Sequence, residues 1–159
     1  MNIVPGKIFS FMVLLLFLSG CANQGMNAEE ARTELGSRSY SFTENFFMEA
    51  INRHDTEAVE LFLLAGMHPN VLNEEGGSPL MLAAYLGYNE IATLLLDYEA
   101  EPNIQQGAPL FYAVENGHSQ VVETLLSNGA DVELSQNGYA ETTTLLFVAS
   151  RNDHPSESY

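Results

Sequence analysis

Hydrophobic and polar positions along the chain form short apolar segments that recur at regular distances. The sequence of residues 78–84, SPLMLAA, returns as APLFYAV at 108–114 and, more weakly, as TTLLFVA at 143–149. Gly87 and Gly117 follow the first two copies at the same distance. An apolar segment of this length that ends at a glycine predicts a short helix.

A second apolar segment follows the first two copies and predicts the partner of that helix, and an earlier copy of this second segment precedes them. Its sequences are AVELFLL at 58–64, IATLLL at 91–96 and VVETLL at 121–126. A related turn sequence ends each of these segments: GMHPN at 66–70, EAEPN at 99–103 and GADVE at 129–133. The chain therefore repeats a unit of two helices and a turn, which is the sequence signature of a repeat architecture.

This order of segments resembles the ankyrin repeat, whose pattern is Thr-Pro-Leu-His-x-Ala-Ala, Gly-His, Val-Val-x-Leu-Leu-Leu and Gly-Ala-Asp-x-Asn. The resemblance implies an all-α ankyrin-repeat solenoid of about three and a half helix-turn-helix repeats with β-turn finger loops. It covers residues 41–154, with nearly complete repeats at about 71–103 and 104–133. Three further segments complete this division: a degenerate repeat at about 41–70, a half repeat at about 134–154 and a tail at 155–159.

The ends of the predicted first helices carry suitable residues. Ser78 can cap one helix with its hydroxyl, and Pro79 then occupies a position that needs no N–H. Gly87 and Gly117 suit the left-handed conformation that ends these helices. Such units cannot bury their apolar faces alone, so that three or more of them must stack.

The chain also departs from the family pattern. The histidine that follows Pro-Leu in the family is replaced by Met81, Phe111 and Leu146. The finger loop before Pro109 is three residues shorter than the loop before Pro79, and the loop before Thr144 is longer. These departures predict modest stability and an incompletely covered outer face on the third repeat, which serves either as a polar-tailed cap or as a dimer contact.

The N-terminus predicts a signal peptide. Lys7 precedes the apolar run of residues 8–18, which is too short to span a bilayer because spanning needs about 20 residues. A basic start, a short apolar run and small residues are typical of secretion. Leu18-Ser19-Gly20-Cys21 resembles the lipobox of bacterial lipoproteins, which implies that residues 1–20 are cleaved and that Cys21 is acylated. The alternative is an ordinary secreted protein with a stray cysteine.

In lipoproteins the cysteine receives a diacylglycerol and a further chain such as palmitate, and several chains together anchor firmly. Ala22 and Asn23 follow Cys21, without the Asp that retains many such proteins in the inner membrane. This rule predicts the outer membrane of a Gram-negative bacterium, with the domain facing the periplasm. Residues 21–40 are polar without sustained periodicity and predict a flexible tether, in which 28–35 can form a short helix.

Charge and composition narrow the possible functions. The 159 residues include 21 acidic and 5 basic ones, so that the formal net charge is −16, and 46% are hydrophobic. The apolar content is enough for a core, whereas the charge argues against a nucleic-acid partner, which needs a basic patch. The single cysteine excludes a disulfide framework and a cysteine-rich zinc site.

Catalytic and metal-binding patterns are weak in this sequence. The histidines at 54, 68, 118 and 154 form no pair at helical spacing, and His118 falls on the structural Gly-His position of the repeat. The acidic residues 74, 75, 101 and 131 lack the alternating ligands of a calcium loop. We therefore predict no enzyme activity, cofactor or metal; the alternatives are an enzymatic or metal site on the stack and a self-associating structural component.

The resemblance implies a protein-binding surface made of loop tips and exposed first-helix positions. The residues that it places there are Leu72, Glu74, Glu75, Tyr85, Leu86, Gln105, Gln106, Glu115, Asn116, Tyr139, Glu141 and Arg151. Carboxylates and tyrosines without lysine suit a basic protein partner bound by a monomer. Two roles stay open: an immunity or inhibitor protein against a secreted antibacterial toxin, and a scaffold or assembly factor for a resident envelope protein.

Overall fold

The computed structural model describes residues 26–133 of the chain. Within this range the chain forms helices joined by turns and contains no strand. The helices are α1 (Ala28–Ser37), α2 (Glu44–Asn52), α3 (Thr56–Leu64), α4 (Pro79–Leu86), α5 (Asn89–Asp97), α6 (Ile104–Glu115) and α7 (Ser119–Ser127). The predictions for residues 1–25, including Cys21, and for residues 134–159 lie outside the described residues.

The described helices form two rows. The inner row consists of α2, α4 and α6, and the outer row consists of α1, α3, α5 and α7. Neighbours along each row contact each other, and each inner helix packs against the outer helix that follows it. This arrangement confirms the prediction of an all-α solenoid of stacked helix pairs.

Equivalent apolar side chains of successive repeats form the core. The fully buried side chains of the inner row include Phe47, Leu80 and Leu110. The corresponding side chains of the outer row are Phe62, Leu95 and Leu125. The small and fully buried residues Ala50, Ala83 and Ala113 recur in the same register. Burial at each level therefore uses side chains from neighbouring repeats, as the short length of the helices requires.

All four outer helices end with the same backbone hydrogen bonds. A backbone amide donates to the carbonyl five residues earlier at 2.9–3.0 Å, from Tyr40 to Leu35, Met67 to Phe62, Ala100 to Leu95 and Ala130 to Leu125. The residue before each of these amides is left-handed: Ser39, Gly66, Glu99 and Gly129. This is a Schellman motif. The inner helices end in the same way, so that it is the contact of α1 with α3 that places α1 in the outer row.

Residues 28–37 form a docked helix where the sequence predicts a flexible tether. Ala31 and Leu35 lie one turn apart with 0% and 1% exposure, and Tyr40 beyond the helix is also buried. The helix contacts α3 because α1 occupies the position before α3 in the outer row. The prediction of a flexible tether over 21–40 therefore does not hold for its described part.

The start of α1 is fixed by a capping box. The Asn27 side chain accepts a hydrogen bond from the Glu30 amide at 2.9 Å, and the Glu30 carboxylate accepts one from the Asn27 amide at 3.2 Å. An Asn followed three residues later by Glu is a sequence signal for a helix start. This signal marks the helix in the sequence, but two apolar residues are too few to predict that the helix packs.

Arg38 joins the end of α1 to the next helix pair. Its guanidinium lies 3.5 Å from Glu34, 3.8 Å from Asp55 and 2.7 Å from Glu57. The hydrogen bond to Glu57 raises the pKa of Arg38, with smaller contributions from the other two carboxylates. Asp55 also accepts a hydrogen bond from the Tyr40 hydroxyl at 3.2 Å and caps α3. These contacts hold α1 against the stack.

Replacing Leu35 with Ala tests whether α1 belongs to the cooperative fold. Because the side chain is 1% exposed, we expect Leu35→Ala to lower the free energy of unfolding by about 2–4 kcal/mol. Leu72→Ala is the matched control, since Leu72 is 50% exposed and its loss costs less than about 0.5 kcal/mol. Urea unfolding of the full chain, followed by circular dichroism, measures both. Equal and small effects would show that α1 does not contribute to the fold.

Candidate partner-binding surface

Helix α4 begins and ends as its sequence predicts. The buried Ser78 accepts a hydrogen bond from the Met81 amide through its hydroxyl at 3.2 Å, and Pro79 is the first helical residue. Gly87 ends the helix with φ of 75°, and Gly117 follows α6 with φ of 72°. The predictions of the serine cap and of both left-handed glycines are confirmed.

His118 locks two neighbouring repeats together. Its Nε2 lies 3.0 Å from the backbone carbonyl oxygen of Tyr85. A Cβ atom on Gly87 would lie only 2.5 Å from His118 Nδ1, so the imidazole fills the space that a side chain there would need. One repeat earlier, Tyr88 stacks on His54 with ring centroids 4.1 Å apart. The ring at this repeat position therefore covers the preceding helix end, which is a structural role for His118.

Aromatic side chains cluster beside this link. The Tyr85 and Tyr112 rings are perpendicular with centroids 5.9 Å apart, and Tyr112 contacts Phe111 at 5.3 Å. Tyr85 is nevertheless 51% exposed, while Tyr112 and Phe111 are half-buried. Large exposed aromatic side chains are typical of binding surfaces. Tyr112 packs against one edge of the Tyr85 ring, and His118 bonds to the backbone carbonyl of Tyr85.

The first finger loop is closed by the side chain of Asn73. Its Oδ1 accepts hydrogen bonds from the Gly77 amide at 2.6 Å and the Glu75 amide at 3.1 Å. The Asn73 carbonyl also accepts from the Gly76 amide at 2.9 Å, which completes a β-turn. The finger therefore presents Glu74 and Glu75 at an ordered, exposed tip.

The second finger differs from the shorter β-turn loop that the sequence predicts. Gln105, Gln106 and Gly107 are left-handed in succession, with φ of 52°, 61° and 80°, so that regular α6 begins only after them. A non-glycine residue in this conformation costs roughly 1–2 kcal/mol. Gln105 Nε2 donates a hydrogen bond to the Gly76 carbonyl of the first finger. This finger is three residues shorter than the first one, and a strained left-handed turn closes it. The hydrogen bond from Gln105 attaches this turn to the first finger.

Asparagine side chains connect the ends of successive repeats, and the sequence analysis did not identify them. Asn70 Oδ1 accepts from the Glu101 amide at 2.9 Å, and Asn103 Oδ1 accepts from the Asp131 amide at 2.7 Å. Asn103 also donates to the Gly129 carbonyl at 3.0 Å. Both asparagines occupy the last position of their turn sequences, which is the signal that makes them recognisable.

The predicted contact residues separate into three groups. Eight are exposed in the structure: Leu72, Glu74, Glu75, Tyr85, Gln105, Gln106, Glu115 and Asn116. Leu86 is half-buried, while Tyr139, Glu141 and Arg151 lie outside the described residues. Sequence reasoning missed Tyr112, although its position one turn before Glu115 places both on one helix face. We define the finger-helix surface as Leu72, Glu74, Glu75, Tyr85, Tyr112 and Glu115.

Basic side chains are confined to one end of the described stack. The sequence contains no Lys or Arg between residues 54 and 150. Arg32, Arg38 and Arg53 all lie before that stretch, and each pairs with a carboxylate of the same N-terminal region. The carboxylates of the finger-helix surface thus have no Lys or Arg close to them in sequence. Their negative electrostatic potential can therefore act on a partner that approaches through the solvent.

The described residues offer little else for chemistry. Over residues 26–133, no three His, Cys, Asp or Glu side chains lie close enough together to hold a metal ion. None of the helices in this range is both long and apolar enough to cross a bilayer.

Comparison with known proteins agrees with the geometry of the stack. The chain matches the model of the family "Ankyrin repeats (3 copies)" over residues 47–136. This match covers more than half of the chain, and the chain belongs to the ankyrin-repeat family. Proteins of this family typically act as protein-protein interaction modules without enzymatic activity. No curated protein matches the sequence.

Alanine at Gly87 tests the interlock with His118, and alanine at Gly117 is the matched control. Both glycines are left-handed, but the Cβ position at Gly117 has nothing within 4 Å. We expect Gly117→Ala to cost about 1 kcal/mol of unfolding free energy through backbone strain alone. Gly87→Ala should cost about 1–3 kcal/mol more, because the imidazole must also move.

Urea unfolding of both variants, alone and combined with His118→Ala, measures this difference. Removing the imidazole should bring the cost of Gly87→Ala down to that of Gly117→Ala. Equal costs for the two glycine variants in the presence of His118 would contradict the interlock.

Proposed function

We propose that this protein is a lipid-anchored ankyrin-repeat module that binds a basic protein through the finger-helix surface. One observation carries the proposal: an exposed tyrosine, Tyr85, lies in a stretch of the chain that has carboxylates but no basic residue. An aromatic anchor supplies contact area at little cost in entropy, since a tyrosine side chain has only two χ angles to fix. The carboxylates supply attraction over a longer range.

The charge distribution supports a basic partner over an acidic or neutral one. Glu74 and Glu75 project from a finger whose backbone is closed by hydrogen bonds to Asn73, so that both charges lie at its exposed tip. A cationic partner is attracted to such a surface and associates faster than a neutral one. The same charge repels a second copy of this chain, which supports our prediction of a monomer.

Attachment to a membrane rests on the sequence around Cys21, and the docked helix changes the geometry that follows from it. Ala28 begins α1 only seven residues after Cys21. A seven-residue connection reaches at most about 25 Å, whereas the twenty-residue tether predicted from sequence would reach about 70 Å. An acylated Cys21 would therefore hold α1 close to the lipid headgroups.

Within this function we favour an immunity or inhibitor role against a basic antibacterial toxin. The support is electrostatic: an unneutralised acidic surface that stays close to the membrane accelerates capture of a basic protein as it arrives. A scaffold for a resident protein needs no such fast association. Placement in the outer membrane rests on the residues after Cys21 and stays a prediction.

Charge-matched variants test the role of the finger-helix surface. One variant carries Glu74→Ala, Glu75→Ala and Glu115→Ala; the control carries Glu60→Ala, Glu90→Ala and Asp97→Ala on exposed positions of outer helices. Both lose three negative charges, so that only the location differs. We expect basic envelope proteins, or added basic toxins, to be captured by the wild type and the control but not by the surface variant. Equal capture by both variants would contradict the proposed surface.

Cys21→Ser tests the lipid anchor. We expect the wild type to sediment with membranes and the variant to move to the soluble fraction, because a single residue carries all acyl chains. Mass spectrometry of the membrane-bound protein should find the acyl groups on an N-terminal Cys21. An unmodified cysteine, or a variant that stays with the membrane, would refute anchoring at this position.

A further inference from the structure

We propose that Tyr85 and Glu115 together form a site for an arginine side chain of the partner. This inference rests on the proposed function and assigns the chemistry of one contact within it. The guanidinium would stack on the tyrosine ring while its N–H groups donate to the carboxylate. The basic partner is then recognised through one anchoring arginine in addition to its overall charge.

The position of Glu115 beside Tyr85 follows from contacts on both sides of it in sequence. Tyr112, three residues before Glu115, touches the Tyr85 ring with centroids 5.9 Å apart. His118, three residues after it, lies 3.0 Å from the Tyr85 carbonyl oxygen. Tyr85 and Glu115 each lie two residues before the left-handed glycine that follows their helix, Gly87 and Gly117. They therefore occupy equivalent positions of α4 and α6, which pack against each other. The exposed carboxylate therefore lies on the stretch of α6 that faces Tyr85.

The Tyr85 ring forms an aromatic floor, and the described arginines are engaged elsewhere. The ring packs edge-on against Tyr112, yet 51% of this residue stays exposed. Of the arginines that the structure describes, Arg32 lies over the Phe42 ring, Arg38 pairs with Glu57 and Arg53 lies over the Tyr40 ring. Arg53 pairs with Glu49 in α2. A cation at Tyr85 is therefore expected from a partner.

Arginine suits this pair of groups better than lysine does. Its planar guanidinium stacks on an aromatic ring and can donate two hydrogen bonds to one carboxylate, whereas ammonium is a strongly hydrated point charge. The chain shows the same kind of contact within itself: the Arg32 guanidinium lies 4.8 Å over the Phe42 ring and donates to the Ala65 carbonyl at 3.1 Å. An exposed cation–π contact is worth about 0.5–1 kcal/mol, which corresponds to about a two- to fivefold change in affinity.

Two peptides of equal length and charge test the assignment. The probes are acetyl-(Gly-Arg)4-amide and acetyl-(Gly-Lys)4-amide, titrated at low salt into the full chain in a nonionic detergent, with binding followed by NMR. We expect the arginine peptide to bind more tightly than the lysine peptide, and loss of the Tyr85 ring to weaken the arginine peptide about two- to fivefold. Tyr85→Leu should abolish this preference, and Tyr85→Phe should keep it because the ring is retained. Circular dichroism melting confirms that the variants are folded.

Glu115→Gln and Glu90→Gln separate the site from general electrostatics. Each removes one exposed charge, from α6 and from the outer helix α5 respectively. We expect Glu115→Gln to weaken the arginine peptide more than Glu90→Gln does. Equal binding of both peptides, or a preference that Tyr85→Leu leaves intact, would overturn the arginine site while leaving an acidic binding surface. Binding of neither peptide would overturn the site and would also count against a basic partner.

Discussion

Each helix pair in this protein is too short to bury its own apolar side chains, and the whole fold depends on contact between neighbouring pairs. Leu80, Leu95 and their equivalents are fully buried only because adjacent repeats share each layer. The recurring hydrogen bonds at the helix ends keep these layers in register. Since any exposed end of such a stack loses half of its contacts, covering the first repeat matters as much as packing the middle ones.

The sequence predicts those parts of the fold in which the same repeat pattern occurs more than once. The serine cap at residue 78 and the left-handed glycines 87 and 117 follow from local backbone chemistry, which a pattern records directly. Helix α1 was missed as a packed element because only Ala31 and Leu35 face the core, and two residues define no period. The left-handed turn at residues 105–107 was missed because glutamine rarely adopts that conformation. The length difference between the two finger loops does not by itself predict the backbone conformation of the shorter loop.

The sequence predicts which residues of the candidate surface are exposed, but it predicts less of how these residues contact one another. Register places Tyr85 and Glu115 at equivalent positions of successive first helices, which identifies them as solvent-facing. It does not reveal that Tyr112 and His118 both contact Tyr85, since these contacts cross between repeats. Specificity in a repeat protein depends on such cross-repeat contacts. The fold can thus vary its surface residues while the buried layers stay constant.

The docking of α1 has a mechanical consequence. Any load applied through the chain upstream of Asn27 enters the stack at α1 before it reaches any repeat. Arg38, which bridges Glu34 to Asp55 and Glu57, lies at the far end of that helix and connects it to α3. A force on the N-terminus therefore acts first on the contact between α1 and α3, to which Arg38 contributes its ion pairs with Asp55 and Glu57. The end of the stack that the chain enters is thus held by ion pairs as well as by buried apolar side chains.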